Sequence, residues 1–394
     1  MDDPLRNPFG AAMTRRERTL LGLLFAVILV AVLALIRSQP WGRIDIRPFK
    51  PSTVDWIVCV KLNEEGNGDL LMLKPDGQSL LLTQDNYDDQ SPAWAPDGKK
   101  IVFSSNRRDQ VYQLWTIDPD GKGLMQLTIG GGAKQAPIYD KDGEHILHIA
   151  QGLVTEVDAK GTHATQLIPL ASQMTQVREQ FGQVAFRYAR RYSETLIAAV
   201  QRIDEGEQAV IQDLTLGREQ FTLPVLLTGA QVDIDWAPDK PQLVVSGVAV
   251  PLPTTSPDEL KPMGAILRFD FSNGIREPQV QPLWLDPTNR QGAIEVAWSP
   301  DGARIAFVLV ERKPDGTLVR KGLYTVPEAG GPPTEIVAGE VYEPSWAPDG
   351  QQLVFAMGSV GARQIYTVRI DGTDLKPRTE SGDHISPRWS PARK

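Results

Sequence analysis

The stretch SPAWAPDGKKIVF, residues 91–103, decides the fold because it recurs along the chain. Its template is an aromatic residue, a small residue, Pro-Asp-Gly, two polar residues and an apolar run. Recognisable copies occupy residues 136–149, 184–200 (degenerate), 232–245, 293–308, 342–355 and 386–391. The aligned aromatic residues are Trp94, Tyr139, Phe186 (or Tyr188), Trp236, Trp298, Trp346 and Trp389. Most of these spacings lie in the forties, which is the length of one blade of a β-propeller.

Each copy has room for four short strands. In the unit 91–128 the first strand ends at Trp94, and the apolar or alternating runs 100–104, 111–117 and 124–128 follow it. Pro-Asp-Gly turns at 96–98 and 119–121 follow the first and third strands. The unit 54–83 has only three strands, and residues 384–391 can supply the fourth. The sequence therefore predicts an all-β, seven-bladed propeller with a shared closing blade, with six blades as the alternative. Its expected extent is 53–391.

The run TLLGLLFAVILVAVLALI, residues 19–36, contains no charge and is about 27 Å long as a helix, close to a hydrocarbon core. Arg15, Arg16 and Arg18 precede it, which favours an amino terminus inside the cell. The sequence predicts a tail over 1–18, one transmembrane signal-anchor helix over 19–36 and a linker over 37–52, with the propeller outside the cytoplasm, in the periplasm or at the cell surface. A cleaved signal peptide is the alternative.

Composition removes several function classes. The formal net charge of −8 argues against nucleic acid as a partner. Cys59 is the only cysteine, so an internal disulfide is impossible. His145 and His148 are three apart on a strand and point to opposite faces. No G-x-S-x-G elbow occurs. The sequence predicts no catalytic residue, no metal site, no cofactor and no enzymatic activity.

The repeats resemble those of the TolB-type β-propeller family. The resemblance rests on the Pro-Asp-Gly template, on FSSNR at 103–107 and on the strand and turn pattern in LWTIDPDG (114–121) and IYTVRIDG (365–372). Such a resemblance implies the propeller fold from residue 54 onward. It leaves function open, because the family includes periplasmic partner-binding proteins, propellers attached to serine peptidases and a few lyases. The seven units and the membrane anchor differ from TolB itself, which has six units and a separate amino-terminal α/β domain.

Irregular loops on a rigid scaffold are common binding surfaces, and in a propeller the connections from second to third strands and from blade to blade share one rim. The binding candidates on that rim are Tyr87, Asp88, Asp89, Arg107, Arg108 and Arg290. Their mixed charge suits a protein partner, with a polar glycan as the alternative. The sequence thus predicts a membrane-tethered binding or scaffolding propeller of an envelope complex. The alternatives are a polysaccharide lyase or hydrolase with carboxylates in the central channel, and a ligand sensor.

Overall fold

Short strands separated by turns build almost the whole of the computed structural model, which describes residues 55–168, 185–204, 206–215, 225–251 and 262–392. In these residues 28 strands form seven four-stranded antiparallel sheets. The predicted tail, membrane helix and linker, residues 1–52, lie outside the described residues. Within the described part of the chain, no helix has the length and apolar character needed to cross a bilayer.

Each sheet is one blade, numbered here in chain order. Blade 1 contains β1 (Ile57–Leu62), β2 (Gly68–Leu73), β3 (Ser79–Leu81) and the last strand, β28 (Asp383–Trp389). Blade 2 contains β4 (Asp89–Trp94), β5 (Ile101–Ser105), β6 (Gln113–Ile117) and β7 (Met125–Gln126). Blade 3 contains β8 (Lys134–Tyr139), β9 (His145–Ala150), β10 (Leu153–Asp158) and β11 (Ala164–Ile168). Blade 4 contains β12 (Ala185–Arg191), β13 (Leu196–Ile203), β14 (Gly206–Asp213) and β15 (Val225–Gly229).

Blade 5 contains β16 (Gln231–Trp236), β17 (Gln242–Pro251), β18 (Pro262–Asp270) and β19 (Gln279–Asp286). Blade 6 contains β20 (Gln291–Trp298), β21 (Arg304–Arg312), β22 (Leu318–Pro327) and β23 (Thr334–Ala338). Blade 7 contains β24 (Val341–Trp346), β25 (Gln352–Met357), β26 (Gln364–Arg369) and β27 (Lys376–Pro377). The seven innermost strands are β28, β4, β8, β12, β16, β20 and β24.

The ring closes through blade 1. Strand β28 pairs antiparallel with β1, with Ile57 opposite Trp389 and Leu62 opposite Asp383. The pairing removes the open edge that a linear array of sheets would leave. The predicted seven blades and shared closing blade are confirmed, and the six-bladed alternative is wrong.

The core lies between neighbouring blades. The second strand of each blade is almost continuously apolar because both of its faces are covered. Phe103, Phe307 and Phe355, at equivalent positions of β5, β21 and β25, are fully buried. Burial of each such side chain contributes about 1.5–3 kcal/mol.

The repeated tryptophans also join neighbouring blades. The indole nitrogen of Trp94 donates a hydrogen bond to the carbonyl of Arg388 in blade 1 at 3.1 Å. Trp236 and Trp346 repeat this contact with carbonyls of blades 4 and 6, each at 3.0 Å. The tryptophans therefore pack between blades.

The turns at one end of the blades follow the predicted chemistry. In the β4–β5 turn the Asp97 carboxylate accepts a hydrogen bond from the amide of Lys99 at 3.0 Å. Gly98 has a φ of 67°, which favours glycine. Its amide donates to the carbonyl of Ala95 at 2.8 Å, closing the turn.

The blades differ in height at the opposite end. Each second strand begins opposite the aromatic residue, as in the pairs Trp94 with Ile101 and Trp298 with Ile305. From that point β5 continues four residues, β21 continues seven and β17 continues eight. At about 3.3 Å per residue, blades 5 and 6 extend roughly 10–13 Å farther than blade 2. The rim that carries the second-to-third-strand connections is therefore stepped.

Candidate functional site

The innermost strands of all seven blades surround a central channel with a cavity of about 570 Å³. Neutral and charged side chains both line it. Its charged residues are Arg187, Arg190, Asp233, Asp235, Glu295, Glu343 and Arg388. The charged groups of the channel thus come from blades 1, 4, 5, 6 and 7.

A bulge in the innermost strands positions part of this set. Ser91, Ala136, Glu295, Glu343 and Ser386 have φ values between 50° and 54° and occupy the same place in their strands. In each case the pairing with the second strand shifts register beside this residue. The bulge re-aims the local backbone toward the channel.

Three carboxylates bind the bulge amides of the next blade. Asp233 accepts from the amide of Glu295 at 2.8 Å, and the carboxylate of Glu295 accepts from the amide of Glu343 at 2.5 Å. The carboxylate of Glu343 in turn accepts from the amide of Ser386 at 2.5 Å. These bonds join blades 5, 6, 7 and 1 around the channel.

Two arginines neutralise part of this acidic wall. Arg187 contacts Asp233 at 2.6 Å, and Arg320 contacts Glu295 at 2.6 Å. Burial raises the pKa of the Glu295 carboxyl, Arg320 opposes this and the nearby Glu343 carboxylate adds to it. Burial also raises the pKa of Asp235, and Arg190 opposes this. Both Glu295 and Asp235 are therefore channel carboxyls with perturbed proton affinity.

Arg190 and Arg388 behave differently from the other charged groups of the channel. Within the described residues neither forms a salt bridge. Arg388 donates to the carbonyl of Pro387 at 2.8 Å, and Arg190 donates to that of Ala189 at 3.2 Å while lying over the ring of Tyr188. Burial lowers the pKa of Arg388, Glu343 counteracts this and Arg190 lowers it further.

The structure places three of the predicted rim residues in one internal network. Asp89 is 0% exposed and accepts two hydrogen bonds from the Arg107 guanidinium, at 2.8 and 2.7 Å. Arg107 also contacts Asp85 at 3.2 Å and lies over the ring of Trp115. Asp88 is buried and accepts from the amide of Gly68 at 2.8 Å. These contacts hold the β3–β4 connection and the start of β4 against both blade 1, through Gly68, and blade 2, through Arg107.

The other three predicted residues lie at the surface. Tyr87 is half-buried beside Arg107. Arg108 has a 53% exposed side chain and donates to Gln126 at 3.1 Å. Arg290 is exposed in the β19–β20 connection, between blades 5 and 6, so it does not join the cluster around Arg107. A binding role for the six residues stays a prediction.

Two acidic groups have oxygen or nitrogen atoms close enough together to share a cation, but each already surrounds an arginine. Arg191 contacts Asp140 at 3.0 Å and Glu156 at 2.5 Å, in the group that also includes His145. The second group, Asp69, Asp85 and Asp89, surrounds Arg107. Burial raises the pKa of Asp140 to about 6, and Arg191 opposes it. Both groups fit ion-pair networks, with the guanidinium as their cation.

The channel residues escaped the sequence reasoning, although a signal for them was present. Each of Asp233, Glu295 and Glu343 stands three residues before the aromatic residue of its repeat. An acidic residue in the same column of three copies could have indicated a shared position. Its orientation toward the channel depends on the bulge, which the one-dimensional pattern does not encode.

No family model matches the chain. An uncharacterized protein, Atu1656, from Agrobacterium fabrum is 31% identical over 83 residues, which are 21% of this chain and 28% of that protein. A TolB homolog from Protochlamydia amoebophila is 40% identical over 53 residues, 14% of this chain and 11% of that protein. The matched segments therefore span less than a third of either relative.

Solved structures cover much more of the chain. TolB from Acinetobacter baumannii matches with a TM-score of 0.50 and 19% identity over 86% of this chain and 67% of its own. A puromycin-hydrolyzing peptidase from Mycobacterium tuberculosis matches with a TM-score of 0.57 and 15% identity over 82% of this chain and 51% of its own. An oligogalacturonate lyase from Vibrio parahaemolyticus matches with a TM-score of 0.50 and 12% identity over 82% of this chain and 85% of its own. The chain thus has a TolB-like β-propeller fold, and at these identities the likeness concerns the fold alone.

The prediction that the protein has no enzymatic activity is corrected by these findings. A lyase and a peptidase contain the same fold. A propeller channel draws its side chains from several strands far apart in sequence, so the lack of a short catalytic motif does not exclude catalysis. An enzymatic role is therefore compatible with this architecture.

Proposed function

We propose that the chain is a membrane-tethered propeller that binds a protein partner on its stepped rim. This rim carries the second-to-third-strand connections and the connections between blades. The observation that carries the proposal is the exposure of large apolar side chains on its low part. Ile129 and Val360 are 74% and 73% exposed, and Val111 is also exposed.

The three residues belong to connections of this one rim. Val360 lies between β25 and β26 of blade 7, and Val111 lies between β5 and β6 of blade 2. Ile129 lies in the connection from blade 2 to blade 3. Single exposed apolar residues are ordinary. Three on one rim, beside blades that rise roughly 10–13 Å higher, provide apolar contacts and a step that a folded partner can fit.

The tether and the location belong to the same proposal. Residues 19–36 carry enough apolar length to cross a bilayer, and Arg15, Arg16 and Arg18 favour an inside amino terminus. The proposed partner is then an envelope protein outside the cytoplasm. The resemblance of the repeats to the TolB-type family, which includes periplasmic partner-binding proteins, supports this choice.

Site-specific photocrosslinking in the native membrane tests the proposal. A photoreactive amino acid is placed at Ile129 or Val360, and Leu375 serves as the matched control. Leu375 is 42% exposed in the β26–β27 turn of blade 7, on the opposite rim. We expect one protein adduct of defined mass when the photoreactive residue is at 129 or 360. With the photoreactive residue at 360, the additional substitution Ile129→Asp should abolish that adduct. Equal adducts from Leu375, or none from the stepped rim, would contradict the proposal.

A second candidate function is catalysis in the channel on an acidic polysaccharide. The raised pKa of the Glu295 carboxyl favours it, because a carboxyl perturbed by burial in a cavity is a candidate general acid or base. Incubation of the full-length chain with oligogalacturonate, followed by product chromatography, tests it. Products formed by the wild type and lost in Glu295→Gln would support this candidate, whereas unchanged substrate would contradict it.

A further inference from the structure

The seven-fold repetition makes the channel a set of comparable positions. Five innermost strands carry the bulge, at Glu295, Glu343, Ser386, Ser91 and Ala136, whereas β16 pairs without a register shift and β12 shifts register at Arg187. Going round the ring from blade 5, the residues at matching places are Asp233, Glu295, Glu343, Ser386, Ser91 and Ala136. The first three supply a carboxylate to the bulge amide of the blade that follows, at 2.5–2.8 Å. A carboxylate bound to a bulge amide is thus a recurring feature of this wall.

The pattern stops at blade 1. Ser386 has a short side chain, and its hydroxyl contacts the Glu343 carboxylate at 3.2 Å, on the side away from blade 2. Ser91 and Ala136 cannot provide a carboxylate either. Among the described residues, no side chain accepts a hydrogen bond from the amides of Ser91 or Ala136, although both have the same bulge φ as Glu295 and Glu343.

Positive charge lies beside this interruption. Arg388 follows Ser386 by two residues on β28, and Arg190 lines the same cavity from β12. Within the part of the chain that the structure describes, neither arginine has a carboxylate in salt-bridge contact. A guanidinium in a confined cavity is strongly stabilised by a carboxylate, which accepts charge-assisted hydrogen bonds. Asp235 and Glu343 act on Arg190 and Arg388 only from beyond salt-bridge distance. The cavity therefore holds two cations without a directly paired anion, near the place where the ring of carboxylates is interrupted.

The wall between these arginines is small and apolar. Pro92 and Ala93 of blade 2 and Pro137 and Ile138 of blade 3 line it. These side chains leave room in the cavity but offer no hydrogen bonds to sugar hydroxyls. They suit an extended peptide better than a uronate-containing glycan, although both ligands carry the same anionic group.

We propose that the channel binds the carboxylate of an extended peptide at the bulge amides of Ser91 and Ala136, beside Arg388 and Arg190. The peptide carboxylate, from a chain terminus or an acidic side chain, takes the place that Glu295 and Glu343 fill on the opposite side of the ring. This site lies inside the channel and is distinct from the apolar contacts proposed on the rim. The channel site can bind a free peptide even if no folded protein docks on the rim.

Titration of the full-length chain with short peptides tests the proposal. The probes are an acetylated tripeptide, Ala-Ala-Ala, with a free terminal carboxylate, an acetylated, amidated Ala-Ala-Glu, the fully amidated Ala-Ala-Ala and digalacturonate. We expect at least one of the two acidic peptides to bind, and the fully amidated Ala-Ala-Ala to bind about 10-fold more weakly or not detectably. Equal binding of the acid and amide forms, or binding of digalacturonate alone, would overturn the peptide carboxylate site.

Two variants locate the site. Ser91→Glu gives blade 2 the residue that blades 6 and 7 carry at the same bulge position, so its own carboxylate should occupy the amide of Ala136 and abolish peptide binding. Arg388→Gln should weaken binding about 10-fold, whereas Arg369→Gln, at the exposed end of β26, should leave it unchanged. Circular dichroism checks that each variant is folded. Undiminished binding by folded Arg388→Gln would refute the assignment, whether or not Ser91→Glu folds.

Discussion

Replacement of Arg107 by glutamine removes the cation from the most deeply buried ion pair described above. The Arg107 side chain is 8% exposed and Asp89 is fully buried. Glutamine retains a polar end and roughly similar length but carries no charge. The variant therefore leaves the Asp89 carboxylate in a low-dielectric site with weaker compensation.

The expected loss follows from this burial. Removal of one partner from a buried ion pair costs about 3–5 kcal/mol, compared with about 0–1 kcal/mol for an exposed pair. Asp85, in salt-bridge contact with the same guanidinium, is less buried and can rely on water. We expect Arg107→Gln to lower the free energy of unfolding by about 3–4 kcal/mol at pH 7.5.

The pH dependence of the stability loss gives a second, independent test of this reasoning. Burial already raises the pKa of Asp89 in the native protein, and Arg107 opposes this. Without Arg107 the folded-state pKa must rise further, so the folded state binds a proton more readily than the unfolded chain does. Such a group adds stability below its unfolded pKa and loses that contribution as pH rises through its folded pKa. The defect of Arg107→Gln should therefore be smaller at pH 5 than at pH 7.5.

Urea unfolding followed by tryptophan fluorescence measures both effects. Arg108→Gln is the matched control, and we expect it to change the free energy of unfolding by less than about 0.5 kcal/mol. Arg107→Gln combined with Asp89→Asn should recover part of the loss because this pair then contains no buried charge. A change below about 1 kcal/mol in the single variant, or a defect that grows on acidification, would refute the reasoning. Normal stability with lost partner binding would instead support the binding role predicted for Arg107 from the sequence.

Three further predictions concern the scaffold. Trp346→Phe removes the indole donor to the Ala297 carbonyl between blades 6 and 7. We expect it to lower the free energy of unfolding in urea by about 0.5–1.5 kcal/mol. No measurable loss would show that this hydrogen bond is not stabilising. Gly264→Ala places a Cβ about 2.1 Å from the Gln291 carbonyl oxygen. We expect the free energy of unfolding to fall by about 1–3 kcal/mol in the same assay. An unchanged value would show that blades 5 and 6 can separate here without cost. Burial raises the pKa of the fully buried Cys59 thiol, so a maleimide should label it only after denaturation, and rapid labelling of the native protein would contradict the packing of β1.

The fold was predictable because each repeat solves the same local problem. An aromatic residue packs against the preceding blade, Pro-Asp-Gly reverses the chain, and an apolar strand fills the space between sheets. These requirements fall within about 15 neighbouring residues, so a pattern such as that of 342–355 expresses them directly. Closure of the ring was also predictable from the sequence, because the unit 54–83 has only three strands and residues 384–391 supply the fourth.

The candidate site was less accessible because its contacts connect residues far apart in sequence. Glu295 binds the amide of Glu343, 48 positions away, and Asp233 binds that of Glu295, 62 away. The pairing of Asp89 with Arg107 could be suspected from their proximity. Their burial could not, because it depends on how the Arg107 guanidinium lies over the rings of Trp115 and Phe103.

The pairing of β1 with β28 also has a consequence during synthesis. Ile57 leaves the ribosome 332 residues before its neighbour Trp389. At about 5–20 residues per second, the interval is roughly 17 to 66 seconds. Throughout that time the apolar strand Ile57-Val58-Cys59-Val60 has one unprotected side. A nascent chain of this protein is therefore an expected client for chaperones that shield exposed strands until translation ends.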